Sequence, residues 1–270
     1  GTTDQQALKD LIERKRQSGV ALTVLGFGSG NYNDALMQEL AQIGNGNAAY
    51  IDTLNEARKV LVDELAQTLN IIAQDVKIQL EFNPALVAEY RLIGYESRHL
   101  EREDFNNDAV DAGDIGAGHT VSALYELALT DSAGTLIDPL RYQAPEPRSR
   151  AESAELGFLK LRYKQPGAQT SALITRPLLS SDIEQNLAAT SANYRFSAAV
   201  AAFGQLLRGG DYLDGFSFEQ ARILASEARG ADPFGYRGEF LSMLRTAEVL
   251  AGPGVSPHRS DSGTPVAGLQ

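Results

Sequence analysis

The stretch VALTVLGFGSGNYND, residues 20–34, decides how the first part of the chain folds. It opens with VALTVLGF (20–27), a nearly continuous apolar run of the kind that marks a strand buried on both faces. Three glycines, Gly26, Gly28 and Gly30, lead into a helical pattern in which Tyr32, Leu36, Leu40 and Ile43 share one face. GNGN (44–47) then reads as a turn and AAYID (48–52) as a second short strand. Upstream, Thr3 and Gln6 can form a capping box for a helix with the stripe Ala7, Leu8, Leu11 and Ile12, ended by Gly19. The cations of ERKR (13–16) suit the C-terminal dipole of that helix. Downstream, Thr53 and Glu56 offer another capping box, and Leu54, Ala57, Leu61, Leu65, Thr68 and Ile72 line a long third helix. The order α-β-α-β-α over residues 1–72 implies part of a doubly wound parallel sheet with helices on both faces. Two parallel strands do not stand alone. With no initial Met, this leads us to expect that the preceding strands lie upstream of Gly1.

Residues 73–180 change character. In DVKIQLEF (75–82), Val76, Ile78, Leu80 and Phe82 alternate with Lys77, Gln79 and Glu81, which predicts a half-buried antiparallel strand with the lysine outward. EYRLIGYE (89–96) and HTVSALYELAL (119–129) predict two more, the latter with Val121, Ala123, Tyr125, Leu127 and Leu129 on one face. LGFLKLRYK (156–164) predicts a fourth, with Leu159, Leu161 and Tyr163 inward and Lys160, Arg162 and Lys164 outward. Turn-rich segments separate them, as in a β-sandwich-like module. By composition APEPRSRAESAE (144–155) is a mobile loop.

Residues 181–250 read as helical. Ser181 and Glu184 suggest a capping box, and Ile183, Leu187, Phe196, Ala199, Val200, Phe203 and Leu207 fit one long amphipathic face stopped by Gly209 and Gly210. Ser217 and Gln220 cap the next helix, which ends at Gly230, and a last helix covers 236–250. The tail 251–270 is expected to be disordered. The predicted class is therefore α+β and multi-domain: a partial α/β segment, a sandwich-like module and C-terminal helices.

Composition narrows the functions. The 270 residues carry a net charge of −11, which disfavours nucleic acid and anionic surfaces as partners at long range. The chain has no cysteine, so disulfides, thiolate metal sites and cysteine nucleophiles are excluded. No run is long and apolar enough to span a membrane.

The glycine turn is the first candidate site. A dinucleotide fingerprint needs G-x-G-x-x-G, with its third glycine inside the helix. Here Gly26, Gly28 and Gly30 are spaced G-x-G-x-G, and the helix begins later, near Tyr32 or Asn33. Asp52 sits near the distance at which an acidic residue binds ribose. These four residues define the alternative reading, a nucleotide- or NAD-binding enzyme. In the acidic stretch EREDFNNDAVDAGD (101–114), Asp104, Asn106 and Asp108 match the first EF-hand ligand spacing, but Ala109 and Ile115 stand where Gly and Glu are required. His99, His119 and His258 form no H-x-x-x-H pair, and no G-x-S-x-G elbow occurs. No complete catalytic constellation emerges, so the chain is read as non-enzymatic, with no catalytic residue and no metal ligand of its own.

Two modules in sequence carry a resemblance. SGVALTVLGFGSGNYNDALMQELAQIGNGNAAYIDTLNEARKVLVDEL resembles the C-terminal half of a von Willebrand factor type A domain, which is Rossmann-like. DVKIQLEFNPALVAEYRLIGYESR, then DAGDIGAGHTVSALYEL and the helices after Ser181, resemble the C-terminal region of bacterial YfbK-like von Willebrand factor type A proteins. The resemblance implies an envelope protein, often lipoprotein-anchored, that binds a protein ligand through a metal-ion-dependent adhesion site. That site's Asp-x-Ser-x-Ser motif is absent from these residues, so a divalent cation, Mg or Ca, is expected only in the parent protein, upstream.

Overall fold

The computed structural model describes residues 4–28, 30, 32–64, 70–95, 100–110, 112–130, 132, 135–136, 154–210, 212–213 and 215–252. Helix α1 (Gln5–Gln17) is capped by Asp4, whose carboxylate accepts from the Gln6 and Ala7 amides, and Gly19 at φ +85° turns the chain away. The expected Thr3 cap is thus replaced one residue on, because an aspartate is an equally good acceptor there. Strand β1 (Val24–Phe27) pairs in parallel with β2 (Ala48–Ile51), and α2 (Asp34–Ile43) connects them. The apolar run from Val20 is longer than its strand, since residues 20–23 carry no strand pairing. Gly44 and Gly46 let the turn after α2 cross the chain leading into β1. A Cβ on Gly46 would lie 1.7 Å from the Leu22 carbonyl oxygen, and one on Gly44 2.6 Å from Leu22 Cβ.

The third helix is shorter than its stripe. Thr53 caps α3 (Leu54–Arg58) by accepting from the Glu56 amide, and a π turn follows over Lys59–Asp63. Leu54 is exposed, and Ile72 belongs to strand β3 (Ile71–Phe82). The β-branched Ile71, Ile72, Val76 and Ile78 favour strand over helix there. Leu65 and Thr68 lie outside the described residues.

Two antiparallel sheets follow. The larger has the order β5-β3-β7-β8, with β5 spanning Gly113–Gly116, β7 Glu155–Lys164 and β8 Ala172–Leu179. The smaller pairs β4 (Val87–Ile93) with β6 (Leu124–Leu129). The alternation in β3 predicts the wrong face for its centre. Lys77 is only 4 % exposed whereas Ile78 is 48 % exposed. Asp75 at φ +50° sits in a register shift between Gln74 and Lys77, and such a bulge re-aims the side chains after it. Arg162 and Lys164 of β7, expected outward, are also drawn in, onto the 3-10 turn Arg102–Asn106 and the loop that follows it.

Among the described residues, the C-terminal segment holds three α-helices, α4 (Ala192–Leu207), α5 (Phe218–Glu227) and α6 (Tyr236–Ala251). Ser217 and Gln220 form the expected capping box, each side chain accepting from the other's amide at 3.2 and 2.8 Å. The Ser181–Glu184 box does not form. Asp182 instead accepts from the Leu179 amide within a short 3-10 turn, and α4 starts only after Ser191, its cap. Asp232 caps α6, accepting from the Arg237 and Gly238 amides. Burial opposes the Asp232 charge, but those amides and Arg229 outweigh it and hold its carboxyl below the usual range. The helical core joins Ala199 and Leu206 of α4, Ala221 and Ala225 of α5, and Phe240, Leu241 and Leu244 of α6. Phe240 meets Phe196 and Phe203 edge-on, each at 5.4 Å, the favoured geometry for such rings. The buried face of α4 ends on Leu206, while Leu207 is exposed.

The chain is α+β, as its patterning predicts, but its compact units do not follow chain order. One unit contains residues 1–83, 99–121 and 157–178, and so the β1–β2 pair and most of the larger sheet. The other contains residues 84–98, 122–156 and 179–270, so β4 and β6 belong with the helices. The sequence reading grouped both antiparallel sheets in one module over 73–180.

Candidate functional site

The glycine turn is filled by its own side chains. A Cβ on Gly26 would lie 2.3 Å from the Tyr32 ring and 3.2 Å from Met37. Tyr32 packs on Tyr50 with ring centroids 4.5 Å apart, and the Tyr50 hydroxyl donates to the Gly28 carbonyl at 2.7 Å. Gly28 takes φ +85°, which explains glycine there, whereas Gly30 and Asp52 are exposed. The N-terminus of α2 is occupied by Asn33, which accepts from the Leu36 amide, and Asp34 adds negative charge in its first turn. Burial, then the neighbouring Asp34, raises the Tyr32 phenol pKa. A phosphate-binding helix start needs open amides and no adjacent anion. Among the described residues of the turn, the Tyr32 ring and the Asp34 carboxylate stand where a dinucleotide loop has open glycine surface and no anion.

The acidic stretch is likewise satisfied from within. Lys77 donates to the carbonyls of Asp104 and Asn107. Arg162 donates to Asn106 Oδ1 at 2.8 Å and to Asp108 Oδ1 at 3.4 Å. Lys164 donates to Asp75 Oδ2 at 2.6 Å and to the Asp108 carbonyl at 2.7 Å. Ser171 donates its hydroxyl proton to Asp108 at 2.6 Å. That hydrogen bond, more than the nearby cations, holds the Asp108 carboxyl below its ordinary value. Three protein cations therefore stand where a calcium ion would need open oxygen ligands. Among the described residues, no group of three or more His, Asp or Glu side chains could hold a metal. His119 donates its amide to the Gly116 carbonyl in the turn after β5. His99 and His258 lie outside the described residues.

Two surface features were not singled out in the sequence. The first is strand β8, at the edge of its sheet. Its first six residues are all exposed, with Leu173 and Ile174 at 55 % and 54 %. Successive strand residues point to opposite faces, so β8 is uncovered on both. The second is a cleft of about 350 Å³ between α4 and the β4–β6 pair, lined by Ile93, Leu124, Val200, Ala201 and Gly204, with Ser197 and Arg208 along the same helix. Beside it Arg91 ties strand to helix, donating to Glu126 at 2.6 Å and to Gln205 at 2.5 Å while lying 4.1 Å over the Tyr212 ring.

These features define an α+β chain whose conspicuous polar clusters are spent on its own packing. Residues 67–250 match the family model described as "Uncharacterized protein YfbK, C-terminal". The chain belongs to that family. It is 46 % identical over 249 residues to "Uncharacterized protein YfbK" of Escherichia coli (strain K12), an alignment covering 92 % of this chain and 42 % of that protein. The chain thus spans less than half the length of this relative. Among solved structures, the ArnB paralog VWA2 from Sulfolobus acidocaldarius aligns at a TM-score of 0.34 and 14 % identity, over 86 % of this chain and 54 % of that one. The resemblance to YfbK-like proteins, read from the residues, is the family that the comparisons return.

Proposed function

We propose that this chain is a non-enzymatic protein-binding or scaffold module of a bacterial cell-envelope von Willebrand factor type A protein. The uncovered edge strand β8 carries the proposal. An edge strand offers a row of backbone donors and acceptors to an incoming strand, and proteins normally blunt such edges with charge or cover. Here Leu173 and Ile174 add apolar side chains on both faces and Arg176 is the strand's one charge, while Pro177 withholds an amide and so limits the open row to residues 172–176. Strand addition supplies affinity through the main chain and specificity through alternate side chains. The partner is an extended protein segment with aliphatic side chains. On this reading the divalent cation of the adhesion mechanism is held by other parts of the parent protein.

The test is genetic and biochemical. Ile174→Lys is introduced into the full-length protein in its own bacterium, and envelope fractions are run on native gels. The wild type is expected in the envelope fraction as a complex larger than the single chain, and the variant as the single chain with an unchanged melting temperature. An unchanged complex would refute docking at β8, and a wholly cytosolic wild type would refute the envelope placement.

A further inference from the structure

The turn after α2 contains the chain's one Asn-Gly pair, Asn45–Gly46, and the packing calls for both members. The helix ends in a Schellman motif. The Asn45 amide donates to the Gln42 carbonyl at 3.3 Å, and the Gly46 amide to the Ala41 carbonyl at 2.9 Å. That motif puts residue 45 in the left-handed region, and Asn45 has φ +50°. Glycine usually fills this position, and asparagine serves next best because its short polar side chain tolerates the conformation. Residue 46 must lack a side chain, since a Cβ there would lie 1.7 Å from the Leu22 carbonyl oxygen.

Two demands of the packing thus set side by side the dipeptide most prone to lose its side-chain amide. In that reaction water or hydroxide takes the Gly46 amide proton, and the freed nitrogen attacks Asn45 Cγ. A C–N bond to the backbone forms, the C–N bond of the carboxamide breaks, and ammonia leaves with a proton from water. Water then opens the succinimide at either carbonyl. One product is aspartate, and the other is isoaspartate, whose backbone runs through the former side chain and is one carbon longer. Every other asparagine of the chain precedes a residue whose side chain hinders the attack.

The native turn blocks the first step twice. In the left-handed region ψ lies at about +30 to +60°, so the Gly46 nitrogen stands nearly anti to the Asn45 Cβ. A five-membered ring needs the two nearly eclipsed. The hydrogen bond to Ala41 also favours the protonated Gly46 amide and opposes its ionisation. Both residues are only half-buried, so geometry rather than exclusion of water provides the block. The same contacts make the isoaspartyl product a misfit. The Leu22 amide donates to the Gly44 carbonyl and the Val24 amide to the Asn47 carbonyl, each at 2.8 Å. Those bonds clamp the chain on either side of Asn45–Gly46, and an added backbone carbon cannot satisfy both.

We infer that Asn45 is a deamidation site gated by the fold. It is closed in the native turn, opens when the turn unravels, and once converted to isoaspartate prevents the turn from closing again on the strand β1. A chain that has stood open is thereby marked irreversibly.

The full chain is incubated in mildly alkaline buffer, native and in guanidinium chloride, and deamidation at residue 45 is read by peptide mass mapping. The native chain is expected to react at least about tenfold more slowly than the unfolded one. Hydrogen exchange of the Gly46 amide gives an independent measure, because exchange and ring closure both need that N–H released. Its protection should match the slowing of deamidation within about threefold. A native rate equal to the unfolded rate, or a Gly46 amide that exchanges freely in the native chain, overturns the gate. Chains carrying isoaspartate at residue 45 are then returned to native buffer. They are expected to melt below wild type, with the Leu22 and Val24 amides unprotected. Asn45→Asp carries the new charge on a backbone of normal length and should keep both amides protected. An isoaspartyl chain with wild-type melting and protection would overturn the irreversible mark. Loss of that protection in Asn45→Asp would overturn its assignment to backbone length. Every readout uses the isolated chain, so the result is independent of what docks at β8.

Discussion

Lys77→Met separates what the strand pattern says from what the fold does. By alternation Lys77 faces water, so a hydrophobic replacement there should change stability by less than about 0.5 kcal/mol, as for ordinary surface sites. In the structure its stem is buried at 4 % exposure, and its ammonium serves the carbonyls of Asp104 and Asn107. Hydrogen bonds from charged groups contribute roughly 1.5–3 kcal/mol each, and an orphaned buried carbonyl costs about 1–3 kcal/mol. Against this, methionine escapes the desolvation cost of an ammonium. The net expectation is a loss of about 2–3 kcal/mol. For a chain of this size that lowers the melting temperature by roughly 5–10 °C. The loss should be local as well as global, so hydrogen exchange should show the 104–108 amides deprotected first. Ile78→Lys, at a 48 % exposed position, is the paired control and should stay within about 0.5 kcal/mol of wild type. A Lys77→Met protein as stable as wild type, or an Ile78→Lys protein that loses several kcal/mol, would refute the buried-lysine latch and restore the simple alternation.

Other outcomes follow from the same structure. Gly46→Ala places a Cβ 1.7 Å from the Leu22 carbonyl and should cost about 3 kcal/mol by overpacking, read as a lower urea midpoint. Ser217→Ala removes half of a capping box and should cost about 1 kcal/mol, read by thermal melting. Asp108 has its pKa lowered chiefly by the Ser171 hydrogen bond. Its contribution is therefore complete above the unfolded value near 3.8 and is lost as pH falls through the lower folded value. In an NMR titration, Ser171→Ala should move the Asp108 midpoint upward, and an unchanged midpoint would contradict the assigned cause. Millimolar NAD or ATP should leave the melting temperature unmoved, because the Tyr32 ring fills the glycine turn. A ligand bound well below its concentration would raise it.

How far the residues announced the fold depended on whether the signal was local. Caps and stops were legible, as at Thr53, Ser217, Gly19 and Gly209, because a cap involves only its own turn. The parallel β1–β2 pair was legible from its apolar runs. The bulge at Asp75 was not, because its positive φ depends on pairing with a distant strand, and it misassigned Lys77 and Ile78. The start of α4 was misjudged because Ile183 and Leu187 happen to continue its period although the chain there makes only 3-10 turns. The glycine turn was legible as an imperfect dinucleotide loop, but the seating of Tyr32 on Gly26 depends on how α2 packs and leaves no trace in the spacing. The acidic stretch gave no hint of its neutralising cations, which lie 27 or more residues from the groups they serve. The cleft had one readable trace, the small residues Ser197, Ala201 and Gly204 on one face of a helix. Its other wall comes from β4 and β6 and is set by tertiary structure.

The central claim is that β8 is a protein-docking edge, and photo-crosslinking in living cells tests it most directly. A photoreactive amino acid is placed at Leu173 of the full-length protein, with Lys160 on β7 as the control position in the same sheet. The account predicts one discrete higher-mass adduct from Leu173, absent from Lys160 and abolished by Ile174→Lys in the same chain. No adduct from Leu173, or the same adduct from both positions, would contradict it.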